Sequence, residues 1–247
     1  MSASCTLGDL LPGSAQRAAR VAEAARQLEG REPGEIIDWA LGIFGAGLGF
    51  TTALGYGGIV LLDLLRRRTG LVEAHFIDTG HHFDETIELL GRIEAWSDAA
   101  GAGRIRFIIL RPEVSDEDVV RAAGSPPWKV NPDVCCRLRK VEPLQRIIHT
   151  RDAWLSALRR DQAQSRAQID VVRLDGRGVL KIHPLAGWTA RQCWDYIGAH
   201  GLPYNPLHDC GYPSVGCTHC TVPVYAGEHE RTGRWASIGK TECGLHT

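Results

Sequence analysis

The sequence predicts an α/β protein with a mostly parallel sheet flanked by helices. Apolar stretches typical of strands alternate with helical patterns along most of the 247 residues, as expected of a parallel sheet. From Leu202 onward, proline, glycine and histidine are dense and periodicity is lost. Because no repeat or linker divides the chain, we expect a single domain over residues 1–247, with an N-terminal helix within 1–30 and an irregular, cysteine-rich segment over 202–247.

The first elements follow from spacing and from turn residues. Residues from Ser14 to Leu28 have helical spacing, with Ser14 as the expected N-cap. The stretch LGFTTALGYGGIVLLDLLRRR predicts a short strand, a glycine-bearing turn and a helix from about Ile59 to Arg68.

The middle of the chain continues the alternation. VEAHFIDTG predicts a second strand that ends near Asp78, and RIRFIIL predicts a third. Between them, DETIELLGRIEAW has helical spacing with Ile87, Leu90 and Ile93 on one face. SDEDVVRAAG predicts a short helix capped by Ser115.

Further along, AWLSAL predicts another strand, and VVRLDGRGVLKIHPL predicts a hairpin with its turn at Asp175–Gly178. TARQCWDYIGAHG predicts a helix with Thr189 as N-cap. Ligands of such sheets bind beyond the carboxyl ends of the strands. The candidate positions are therefore Thr51–Gly58, Asp78–His82 and the residues after Leu110.

Composition narrows the classes of function. An apolar share of 44% and a charged share of 23% are typical of a globular protein, and a net charge of −1 predicts no general attraction to nucleic acid or to an anionic membrane. No apolar run approaches the roughly 20 residues needed to cross a bilayer. Since the N-terminus lacks the pattern of an export signal, we expect a cytoplasmic location.

The cysteines indicate a metal site or catalysis rather than disulfides, because the cytoplasm is reducing. Cys217 and Cys220 form a CxxC pair, and Cys135 and Cys136 are adjacent. Together these pairs could close a four-sulfur site around zinc or an iron–sulfur cluster; a redox-active CxxC is the alternative, but it leaves the adjacent pair unexplained. A lone cysteine, Cys243, lies near the end of the sequence.

The turn TTALGYGG lies between a strand and a helix, where backbone N–H groups can hold a phosphate. It matches neither GxGxxG nor a Walker A loop, so a structural turn and an anion site remain equally open. After the second strand, Asp78 could accept from a ribose hydroxyl or cap the next helix. His81 and His82 are more typical of solvent-facing loop residues than of metal ligands.

Basic residues cluster in three places, RLRK, LRRDQ and ERTGR. Single arginines are usually solvated, but three clusters favour a site for a small anionic molecule.

The order of motifs resembles the sulfonucleotide reductases, which reduce adenosine 5′-phosphosulfate (APS) or its 3′-phosphorylated form (PAPS). The resemblance runs from about Gly47 to the end of the sequence. It is carried by IDTGxxFxET, CCRxRKVxPL, RRDQxxSRA, HPLAGWTARQCWDYI, LPYNPLHDCGYPSVGC, CTHC, GRW and ECGLH. The two cysteine pairs are similar to the iron–sulfur branch of this family, which mostly uses APS.

The resemblance implies a PP-loop adenine-nucleotide-binding fold and assigns a role to several residues. Cys243 would be the nucleophile, and the turn at Thr51, Thr52 and Gly55 would hold the nucleotide together with Asp78 and Arg160. A [4Fe–4S] cluster would be ligated by Cys135, Cys136, Cys217 and Cys220, and the phosphosulfate would be surrounded by Lys140, Arg231, Arg234 and His246.

The sequence departs from the family pattern at the nucleotide end. Gly57 and Gly58 stand where an acidic pair is usual, and Leu54 replaces a serine. Asp84 replaces the proline of FPET, and Ser156–Ala157 replaces a Thr–Gly pair. These changes put nucleotide choice in question and leave the cysteine chemistry unaffected.

The resemblance implies reduction of APS to sulfite and AMP through an S-sulfocysteine on Cys243, with a separate thioredoxin as electron donor. It also implies a homodimer or homotetramer. Two alternatives are a reductase that uses PAPS or both nucleotides, and a degenerate nucleotide-binding protein with a zinc site. An ATP-using PP-loop enzyme gives Cys243 no role.

Overall fold

A computed structural model describes residues 6–225, 227–236, 240 and 242–245. It contains a six-stranded sheet in the order β3-β2-β1-β4-β6-β5. Every neighbouring pair is parallel except β5 and β6, which form an antiparallel hairpin at one edge. The strands are β1 (Leu48–Thr52), β2 (Leu71–Ile77), β3 (Arg104–Leu110), β4 (Ala153–Leu155), β5 (Val172–Leu174) and β6 (Leu180–Ile182). The predicted α/β class, the parallel sheet and the hairpin are confirmed.

Helices cover the sheet on both sides. The predicted caps Ser115 and Thr189 are confirmed, since each accepts a hydrogen bond from the third residue of its helix. The helices are α1 (Leu7–Leu10), α2 (Arg17–Leu28), α3 (Pro33–Phe44), α4 (Tyr56–Arg66), α5 (Asp84–Ala99), α6 (Asp116–Ala123), α7 (Pro127–Val130), α8 (Pro132–Cys136), α9 (Glu142–Gln145) and α10 (Ala190–His200).

Three predictions about helices need correction. Helix α2 begins at Arg17, so Ser14 is not its N-cap. Helix α4 begins at Tyr56, directly after the glycine turn, rather than near Ile59. Ile87 is 42% exposed, because the buried face of α5 carries Thr86, Leu89, Ile93 and Ser97, which recur at the helical period.

The main core lies between the sheet and its helices. Every residue of α4 is buried, because this helix packs against α3, α10 and β2. Inside it, the carboxylate of Asp63 accepts from Arg66 at 2.8 Å, from Arg67 at 2.7 Å and from the Tyr196 hydroxyl at 2.8 Å. These bonds satisfy a fully buried charge and fix the position of α4 behind the turn.

A second, smaller apolar cluster packs on the sheet around Trp154 of β4. Leu144 and Ile148 reach it from α9 and the turn that follows. Leu245 also packs in this cluster. The described part of the C-terminal segment is therefore held beside α9, which follows the adjacent pair Cys135 and Cys136 in the sequence. Among the described residues, no helix has the length and apolar character needed to cross a bilayer.

Candidate active site

A cavity of about 210 Å³ opens beyond the carboxyl ends of β1 and β4. This is the edge of the sheet at which the sequence predicts that ligands bind. Seven of the predicted site residues line it: Thr51, Thr52, Gly55, Lys140, Arg231, Arg234 and Cys243.

The turn between β1 and α4 forms one wall. The Oγ1 atom of Thr52 accepts from the N–H of Leu54 at 3.0 Å, and Leu54 adopts a left-handed φ of 57°. A Cβ atom on Gly58 would lie 2.4 Å from Thr52 Oγ1, so a side chain there would force the turn open. The first N–H groups of α4 lack partners within the helix, and they lie beside the cavity where an anion can bind.

Positive side chains form a cationic wall of the same cavity: Lys140, Arg166, Lys181, Arg231 and Arg234. Burial lowers the pKa of Lys140, but the neighbouring sulfur groups of Cys217 and Cys243 outweigh it, so the net pKa shift is upward and the amine stays protonated. Desolvation lowers the pKa of Arg231, whose guanidinium nevertheless remains charged at neutral pH.

Arg166 was not singled out by the sequence analysis, although it lies in the RRDQxxSRA motif. Arg160 of that motif donates to Glu29 at 2.7 and 2.8 Å and does not line the cavity. Asp78 also lies outside the lining; its carboxylate accepts from Gly80 and from Arg111. The predicted contact at His246 falls outside the described residues.

The four paired cysteines, Cys135, Cys136, Cys217 and Cys220, line one small void beside the cavity. Burial first, and then the charges of the other three thiols, raise the pKa of Cys135 to about 12. Because all four cysteines line the same void, their sulfurs converge, although the two pairs are far apart in sequence. Lys140 borders both the void and the cavity.

Aromatic rings cover the void. The rings of Trp128 and His219 stack with centroids 4.0 Å apart, and His81 packs edge-on against both. His81 thus lines the cysteine void rather than facing solvent, contrary to the prediction for a loop histidine. His82 lies at the cavity, where a ring nitrogen bonds the carbonyl of Ile77 at 3.0 Å.

The chemistry of this donor set fits a metal centre, since four thiolates are the ligands of iron–sulfur clusters and of structural zinc. In the part of the chain that the structure describes, no three histidine, cysteine or carboxylate side chains are grouped closely enough for a single ion. Four cysteines at one void suit either kind of centre.

Cys243 reaches the cavity from the C-terminal segment. Its neighbour Glu242, to which the sequence assigned no role, accepts from Arg166 at 2.8 and 2.7 Å and from Ser165 at 3.1 Å. Burial opposes ionisation, but Arg166 and Arg231 outweigh it and hold the pKa of Glu242 below its usual range. The thiol thus lines the same cavity as the turn between β1 and α4 and the cationic wall.

Ser156 presents a hydroxyl to the cavity at the end of β4. Its Oγ atom lies 2.7 Å from Nδ1 of His183, which is buried. Desolvation, together with the charges of Arg173, Lys181 and Arg166, lowers the pKa of His183 to about 3. The imidazole is therefore neutral near pH 7 and fixes the orientation of the Ser156 hydroxyl.

The fold is that of an α/β protein of the PP-loop type, with a cavity lined by cationic side chains at the carboxyl edge of its sheet. The sequence model of the phosphoadenosine phosphosulfate reductase domain matches residues 48–223, and the chain belongs to this family.

Some relatives of this chain are named as reductases of APS and others as reductases of PAPS. An adenosine 5′-phosphosulfate reductase of Halalkalibacterium halodurans is 41% identical over 91% of this chain and 95% of its own length. A phosphoadenosine 5′-phosphosulfate reductase of Gloeobacter violaceus is 42% identical over 90% of this chain and 91% of its own. The crystal structure of the Candida auris phosphoadenylyl-sulfate reductase superposes with a TM-score of 0.69 at 32% identity, covering 83% of this chain and 97% of that one.

We predict that His183 makes stability fall in mild acid. Its folded pKa of about 3 lies below the unfolded value of about 6.5. The unfolded chain therefore binds more protons between these values, and stability is full above about pH 6.5 and declines as the pH falls towards 3. Urea unfolding of the wild type and of His183→Asn from pH 7 to 4 should show a slope smaller in the variant by up to about 1.4 kcal/mol per pH unit. Equal slopes would contradict a neutral buried imidazole.

Proposed function

We propose that the protein reduces adenosine 5′-phosphosulfate to sulfite and AMP in assimilatory sulfate reduction, with thioredoxin as the electron donor. One observation carries this proposal: the thiol of Cys243 lines the same cavity as Lys140, Arg231 and Arg234. A thiol placed among cations suits attack on an electrophilic centre that carries several negative charges. The reductase names of the relatives support the same reaction.

The substrate would lie with its nucleotide against Thr51, Thr52 and Gly55 and its phosphosulfate towards Cys243. In this orientation the N-terminus of α4 faces phosphate oxygens, and the cationic wall neutralises the charge that would repel a thiolate. Loss of one such cation typically costs a few kcal/mol of transition-state stabilisation.

In the first step, the Cys243 thiolate attacks the sulfur of the sulfuryl group. A bond forms between Sγ and that sulfur, and the bond from sulfur to the bridging oxygen breaks with its electron pair going to the phosphate of AMP. Lys140, Arg231 and Arg234 stabilise the charge that develops on the leaving phosphate. The enzyme then carries an S-sulfocysteine at residue 243.

In the second step, a thioredoxin thiolate attacks Sγ of Cys243, and sulfite leaves with the electron pair of the S–S bond. The second thioredoxin thiol then resolves the mixed disulfide, which restores the Cys243 thiol and leaves oxidised thioredoxin. Two thiols thus supply both electrons. Since reduced thioredoxin is maintained in the cytoplasm, we expect the reaction there.

A [4Fe–4S] cluster is the proposed occupant of the void, held by Cys135, Cys136, Cys217 and Cys220. When bound, such a cluster would supply a rigid anchor and an electrostatic influence beside Lys140 rather than reducing equivalents. Adjacent Trp128 and His219 would limit the access of solvent to it.

We predict that anaerobic incubation with APS alone adds one SO₃, about 80 Da, to the intact protein. The adduct should map to Cys243 and be absent from Cys243→Ser, because serine has no thiol to form S-sulfocysteine. Cys210→Ser, which replaces an exposed cysteine outside the cavity, is the matched control and should form the adduct. A cluster-loaded wild-type protein that gains no mass would refute the mechanism.

We predict that anaerobically purified protein contains about four iron and four sulfide per chain and absorbs near 400 nm, about where iron–sulfur clusters do. Cys220→Ser should lose most of both signals because it removes one thiolate of the four. Cys210→Ser should retain them. One zinc per chain without visible absorption would instead support the degenerate nucleotide-binding module.

A PAPS reductase, or an enzyme of both nucleotides, is the second candidate, favoured by the name of the Gloeobacter relative. We predict that kcat/KM is at least about tenfold higher for APS than for PAPS, a difference of about 1.4 kcal/mol in transition-state binding. Side-by-side steady-state rates with thioredoxin measure this ratio. A ratio below one would assign the enzyme to PAPS without changing the role of Cys243.

A further inference from the structure

Glu242 is held by the cationic wall of the cavity itself. Its carboxylate receives two charge-assisted hydrogen bonds from Arg166, at 2.8 and 2.7 Å, and a longer one of 3.4 Å from Arg231. The Ser165 hydroxyl adds a bond of 3.1 Å. Both partners of the Arg166 pair are largely buried, with side chains 10% and 22% exposed, so the pair is shielded from solvent more than a surface salt bridge.

The same segment also makes contacts away from these cations. The carbonyl of Leu245 accepts from Arg177 at 3.1 Å, and the Leu245 side chain packs in the cluster around Trp154. The amine of Lys240 donates to the carboxylate of Asp133 at 2.5 Å. The Glu242 contact differs from these in that it ties the position of the segment to the cations of the cavity.

We infer that Glu242 is a positioning residue that docks Cys243 in the cavity for sulfur transfer. This inference rests on the proposed function. Consecutive Cα atoms are about 3.8 Å apart, so a fixed Glu242 confines the adjacent thiol to the cationic wall. Without that restraint Cys243 samples positions away from the substrate, and the attack becomes less frequent.

The test uses the cluster-loaded, full-length protein and the variant Glu242→Gln, which removes the charge and keeps the shape. In single-turnover mixing with APS, the variant should form the 80-Da adduct at least about tenfold more slowly, as expected for loss of a charge-assisted hydrogen bond. Its affinity for AMP should stay within about twofold of wild type, since the cations that bind phosphate remain. Alkylation of Cys243 by a maleimide, followed by peptide mapping, should be faster in the variant. Discharge of preformed S-sulfo protein by thioredoxin should be at least as fast as in wild type.

Glu29→Gln is the matched control. Glu29 forms the same kind of two-bond pair with Arg160, at 2.7 and 2.8 Å, but outside the cavity. This variant should match wild type in adduct formation, alkylation and discharge. Glu242→Asp, which keeps the charge, should recover part of the rate of adduct formation.

Wild-type rates of adduct formation and of alkylation in Glu242→Gln would overturn the inference. A large loss of AMP affinity in that variant would also overturn it, because Glu242 would then act through substrate binding. If wild-type protein forms no adduct at all, the proposed function fails. If wild type and Glu242→Gln form it equally fast, only the docking role fails.

Discussion

The site depends on holding five cationic side chains, Lys140, Arg166, Lys181, Arg231 and Arg234, around one partly buried cavity against their mutual repulsion. Burial alone disfavours the charged forms, as the lowered pKa of Arg231 indicates. Negative partners must therefore lie nearby when the cavity is empty. The Glu242 carboxylate supplies part of this compensation, and a phosphosulfate would supply more of it on binding.

A second buried network, of hydrogen bonds, connects the turn between β1 and α4 to the segment that carries Arg231. Arg159 is fully buried and donates to the Tyr56 hydroxyl at 2.6 Å and to Glu230 at 3.2 Å. Tyr56 also hydrogen-bonds Glu230, so the start of α4 is joined to the residue that precedes Arg231. Burial, ahead of the charge of Glu230, raises the pKa of Tyr56 well above its usual value, and the phenol stays a donor. The two walls of the cavity are thereby held at a fixed separation.

Much of this architecture could be predicted from the sequence because the sheet and its helices obey regular periods. The strands β1 to β3 and the hairpin needed only apolar alternation and turn residues. The site residues outside helices and strands were harder to predict from the sequence. RRDQxxSRA contributes three arginines that lie in or beside short 3₁₀ turns, where no period tells which side chain faces the cavity. Arg166 faces it, and Arg160 faces Glu29 instead.

Glu242 illustrates a different limit of sequence reasoning. Its partner Arg166 is 76 residues away, and no local pattern links them. The relation becomes visible only when Leu245 and Cys243 are placed against the sheet and the cavity. The position of Trp128 at the cysteine void could not be predicted for the same reason. Trp128 precedes Cys135 and Cys136 on a separate short helix, α7.

The position of the cysteine void explains how a cluster could govern the rate without passing electrons. Cys135 and Cys136 end α8, and a π-helical turn over Arg137–Val141 carries Lys140 from them into the cavity.

The other cysteine pair is linked to the opposite side of the cationic wall. The carbonyl of Cys220 accepts from the N–H of Trp235 at 3.0 Å, and Thr221 forms a β-bridge with Arg234. Each cysteine pair is thus attached through a few backbone atoms to one cation of the wall. A group that joins the two pairs would therefore brace the segments that carry Lys140 and Arg234, and its loss would disturb the position of both cations.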